Sequence, residues 1–149
     1  MEKLIKKRIM PAAQALAWTI EGARDSFKWL KELQDQWEEA RVKNKDGSSF
    51  RKKQRIIADA FAMYITSLFD TRSGTHSFIK SYQPHKFIKN FQKHTVVQKC
   101  IKHRHNRAGH QSKQYGFVVP LDEILSSDLD SWLSEAYYAV CTDKLTLIS

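Results

Sequence analysis

Nine residues, Lys102 to His110, read KHRHNRAGH and hold one lysine, two arginines, three histidines and a single glycine. An imidazole, with an unperturbed pKa of ~6.5, can take or give a proton at neutral pH. A guanidinium stays charged and offers a planar fork to two phosphate oxygens. Cleaving an RNA strand without a metal needs a base for the 2′-OH, an acid for the 5′-oxygen and a cation for the charge gathering on the phosphate. All three kinds of group stand in this stretch. Arg104 suits the phosphate, Arg107 can reinforce it or hold a neighbouring phosphate, and His110 suits the proton transfer.

Groups of this kind work only when helices or strands hold them in place. Leu16, Ile20, Ala23, Phe27, Leu30 and Trp37 recur at helical spacing and predict a long helix from about Pro11 to Lys43. The turn NKDGSS comes next, with Ser48 or Ser49 as the expected N-cap of a second helix striped by Ile57, Phe61, Tyr64 and Leu68. Thr75 is placed to cap a short turn through HSFIKSY. Pro84 suits the first turn of a third helix that runs to Ala108, where Gly109 can take the left-handed position after the helix. A last amphipathic helix, started around Ser126 to Asp128, is read from Leu125, Leu129, Trp132, Leu133, Ala136, Tyr137 and Val140. The expectation is one all-α domain over 1–149, an antiparallel bundle of four main helices with short helical turns between them.

Stepping 100° per residue along the third helix puts Val97, Cys100, Ile101 and Ala108 on one side, with Arg104 in the middle of that apolar side. A guanidinium there must meet a carboxylate, a water-filled cleft or a second subunit. His105 and Arg107 flank the stripe, and His103 falls on the outer face. His110, set free of the helix by Gly109, can fold back toward Arg104.

These residues resemble the motif of the HEPN superfamily, helical nucleotide-binding domains, many of them RNases or toxins. Its mark is an Arg, then a polar residue, then a His after four to six intervening residues, near a helix end in an antiparallel bundle. Arg104, His105 and His110 keep that order, and PLDEI at Pro120 to Ile124 resembles the segment after the motif in abortive-infection HEPN proteins. His105 stands where Asn or Asp is commoner. The resemblance implies a metal-independent endoribonuclease of toxin or antiviral defence type, with Arg104, His105 and His110 as catalytic residues. It also implies a homodimer in which two motifs converge on one cleft, and products ending in a 2′,3′-cyclic phosphate and a 5′-hydroxyl. The alternative within the same resemblance is a non-catalytic module that binds nucleotide or RNA, or docks a partner such as a nucleotidyltransferase-type antitoxin. Outside it stands a structural dimeric bundle in which Arg104 is simply ion-paired.

Composition agrees with a polyanionic partner: 25 Lys and Arg against 16 Asp and Glu leave a formal +9. Cys100 and Cys141 make no disulfide framework, and the apolar N-terminal stretch is broken by Pro11 and Gln14, so neither a secretory leader nor a membrane span is expected and the cytoplasm is the expected compartment. Cys100, His103, His105 and His110 look like metal donors, but helical geometry separates them, so no metal and no cofactor is expected. There is no P-loop, dinucleotide fingerprint or nucleophile elbow. Trp18, Trp29, Trp37 and Trp132 read as core or interface residues, KLIKKR and RKKQR as solvated helix ends, and His76, His85 and His94 as surface residues.

Overall fold

The structure, a computed structural model, describes residues 11–72, 76–108 and 121–148, with 105–108 as helical backbone. Among them the chain is all-α: α1 (Ala12–Val42), α2 (Ser48–Leu68), α3 (Phe78–Ser81), α4 (Lys86–Lys93), α5 (Thr95–Ala108), α6 (Leu121–Ser126) and α7 (Leu129–Cys141). The one β-feature among the described residues is an antiparallel bridge between Tyr82 and Leu147. The apolar spacing that predicts α1 buries Leu16, Ile20, Ala23, Phe27 and Leu30 against Ala58, Phe61, Ile65 and Leu68 of α2. The rings of Phe27 and Phe61 sit 6.0 Å apart. Each of the larger side chains contributes about 1.5–3 kcal/mol by leaving water, which is what holds a 31-residue helix along its partner. α1 packs on α2 with one flank and on α7 with the other, and α2 in turn packs on α5.

Local chemistry shifts several boundaries. Ser48 is already inside α2; the Asp46 carboxylate accepts its N–H at 3.0 Å and performs the capping expected of serine. The stripe of α2 is also turned from the expected one: Tyr64 is exposed, and Gln54 takes a core position with no exposed surface. The Gln54 amide donates to the Leu30 carbonyl at 3.2 Å and to Gln34 at 3.0 Å, while its oxygen accepts from Arg51 at 2.9 Å. A buried amide so fully bonded ties α1 to α2 without leaving an orphan group. Arg51 also lies 3.7 Å over the Trp37 ring, so two residues of the RKKQR cluster, Arg51 and Gln54, are structural. Tyr64 leans on α1 at Gly22, where an added Cβ would come within 2.7 Å of its ring.

The predicted third helix is two helices. His94 leaves helical geometry at ψ 132°, its Nδ1 accepts the Val96 N–H at 3.1 Å, and its Nε2 donates to Asp128 at 2.7 Å. The imidazole therefore ends α4, caps α5 and fastens the joint to α7, and it is half-buried, not a surface residue. His85 caps α4 in the same way, accepting from the Phe87 N–H at 3.0 Å, which leaves Pro84 just ahead of the helix. Ser77 caps α3; Thr75 lies outside the described residues. Trp37 and Trp132 are half-buried, whereas Trp18 and Trp29 are more than half exposed and belong to no core. No helix among the described residues is long and apolar enough to cross a membrane.

Candidate functional site

α5 is described as far as Ala108, and Arg104, His105 and Arg107 lie on its last described turns, on a helix packed against α2. The end of α2 meets the start of α5: Phe69, just beyond α2, stacks edge-on against Phe91 at 5.4 Å, a few residues before α5 begins. The two helices are therefore antiparallel. Val96, Val97, Cys100 and His103 form the buried stripe of α5. Arg104 stands beside it, half-buried and open to solvent on one side, and not at the centre of the apolar face as expected. His105 and Arg107 belong to the helix, but their side chains, like His110 and Gly109, lie outside the described residues.

The larger correction concerns His103. It is 3% exposed, and its Nε2 lies 2.8 Å from the Asp59 carboxylate of α2. A carboxylate can only accept, so Nε2 carries the proton of that bond. The bond fixes the ring's orientation and pins α5 to α2 one residue before Arg104. Neither Asp59 nor His103 is singled out by the motif; the only signal for them is a carboxylate on the flank of α2 that faces α5.

Cys100 is completely buried, and burial pushes its thiol up to about 12. A thiol so protonated is not a nucleophile at neutral pH. Iodoacetamide at pH 8 should therefore label exposed Cys141 alone in the folded protein. Mass spectrometry showing two adducts before denaturation would contradict this.

On the outer side of the α4–α5 joint lies an open groove of about 630 Å³, lined by Lys93, Thr95, Gln98, Lys99, Ile101 and Lys102. Lys99 makes an exposed pair with Glu123 of α6 at 3.1 Å. No set of three or more His, Cys, Asp or Glu among the described residues is placed to hold a metal. The chain matches no protein-family model, no curated protein and no solved structure. What the site can do therefore rests on its own chemistry: a partly exposed arginine on a helix braced by a buried imidazole–carboxylate pair, with a lysine-lined groove on the other side of the same helix.

Proposed function

We propose that the chain is a metal-independent endoribonuclease of HEPN type, acting in toxin or antiviral defence, with Arg104, His105 and His110 as its catalytic set. The 2′-oxygen attacks the adjacent phosphorus as an imidazole takes its proton, the bond to the 5′-oxygen breaks as that oxygen is protonated, and Arg104 holds the charge that collects on the phosphate between. One His110 per chain is a thin supply of acid and base, so a homodimer that joins two motifs in one cleft belongs to the proposal.

The observation that carries the reading is Arg104 itself. It is partly exposed on α5, immediately after a residue locked to α2. A guanidinium held on a fixed helix is pre-organised for a phosphate, and a pre-organised donor loses little on binding.

Mixed RNAs incubated with the protein in excess EDTA should be cut to fragments ending in 2′,3′-cyclic phosphate and 5′-hydroxyl. Light scattering on the same sample should give a dimer. RNA that stays intact at concentrations where the dimer has formed would overturn the nuclease reading, and RNA bound but uncut would leave a binding module.

A further inference from the structure

The positive charge of this chain is not spread over it. Between Asp70 and Asp122 there is no carboxylate, yet that segment holds ten of the 25 Lys and Arg and all six histidines. The rest of the chain has fifteen cations against sixteen carboxylates and is close to neutral. Its described residues fold largely into α3, α4 and α5, which gathers their charge in one part of the bundle. On α4, Lys86, Lys89 and Lys93 stand at i, i+3 and i+7, one exposed stripe ~10 Å long. Beyond the joint at His94, exposed Lys99 and Lys102 continue it along α5, with the groove lying between Lys93 and Lys102 and Ile101 supplying an apolar wall. Arg104, two residues after Lys102, points about 200° round α5 from it and belongs to a different face.

Carboxylates reach this region only from other elements, where Asp59 meets His103, Glu123 meets Lys99, and Asp128 meets His94. The Lys99–Glu123 pair touches the lysine stripe. Both its partners are about half exposed, and such a pair holds weakly enough to open for a competing phosphate.

We infer that the outer face of α4 and α5, from Lys86 through Lys93 to Lys102, is a phosphate track that binds a single RNA strand. The inference rests on the nuclease reading for the choice of RNA as the polyanion, and on the charge map for the binding. A run of like charges at this spacing repels itself and is relieved by a polyanion whose own charges repeat. The groove between two helices is open along its length, as a strand passing through requires.

The track can be tested on full-length protein carrying His110→Ala, so that the probe is not consumed. The probe is fluorescein-labelled oligouridylate, read by anisotropy at several salt concentrations. Lys89→Gln, Lys93→Gln and Lys102→Gln together should lower the slope of log K against log salt by about 2, since each single-strand phosphate contributes about 0.7. Lys28→Gln, Lys31→Gln and Lys45→Gln, which remove the same three charges from α1 and the turn after it, should leave the slope as it was. Circular dichroism melts on both triple variants check that each is folded. Equal losses in the two variants would mean the whole molecule's charge binds RNA, and the track would fall. Tighter binding to polyglutamate than to oligouridylate at equal salt would give the face to an acidic protein and also overturn it. If the wild-type protein never cuts RNA but the slopes differ as stated, the nuclease reading fails and the track stands. If cleavage depends on His110 while the α4–α5 variant binds normally, the reverse holds.

Discussion

Replacing His110 by alanine should abolish EDTA-resistant cleavage while leaving RNA affinity within a few-fold of wild type. Proton transfer by a positioned imidazole contributes about 100-fold to 10,000-fold to a rate, and alanine offers no substitute. The residue comes after Gly109 and precedes the polar stretch QSKQ, so its removal is expected to cost little packing. Arg104→Ala should behave differently. Its guanidinium is assigned both to binding the phosphate and to stabilising the charge that develops there, so cleavage should fall by on the order of 100-fold to 1000-fold and affinity should weaken with it. The split between the two variants is the informative result. Single-turnover cleavage and anisotropy on the same preparations would give it, and robust cleavage by the His110→Ala protein would remove that residue from the chemistry.

Much of the architecture could be read from periodicity. Both ends of α1 fall within a residue of their predicted places, because a long apolar stripe fixes them several times over. The break at His94 could not be read in the same way. Nothing in the apolar pattern of α4 and α5 stops there; the helix ends because an imidazole accepts a backbone N–H with one nitrogen and reaches Asp128, 34 residues away, with the other. Histidine is not among the usual capping residues, and its partner is a matter of tertiary structure. The tilt of α5 was illegible for a related reason. Taking Ile101 as core and leaving out Val96 and His103 turns the apparent stripe by roughly 60° on a wheel of 100° per residue. That puts Arg104 at the centre and His103 outside, whereas α2 covers the opposite flank and Asp59 stabilises a buried histidine there. A wheel finds the middle of a stripe only when every apolar residue on it is core, and it has no means of saying which polar flank a neighbouring helix will cover.

Asp59→Ala is the variant in which that correction has its largest consequence. It would leave the His103 ring, 3% exposed, without the carboxylate that accepts its Nε2 proton. Removing one partner of a fully buried ionic pair costs about 3–5 kcal/mol. The Asp59 side chain is 36% exposed, so water can partly replace it, and about 2 kcal/mol is the expected loss. For a chain of this length that lowers the melting temperature by about 4–8 °C. His103→Ala should cost a comparable amount through the cavity it opens between α2 and α5, in contrast to an outer-face histidine, whose loss would fall within about 0.5 kcal/mol. Cleavage should fall in both variants, because Arg104 is held by the turn of α5 that this pair fastens. The double variant Asp59→Leu with His103→Leu separates bracing from chemistry. An apolar pair of suitable size can hold two helices as well as an ionic one. Stability and cleavage should therefore return together, read by thermal melts and by EDTA-resistant cleavage under the same conditions. Stability restored with cleavage still lost would instead make His103 a participant in the proton transfers, and the assignment of that role to His110 alone would have to be given up.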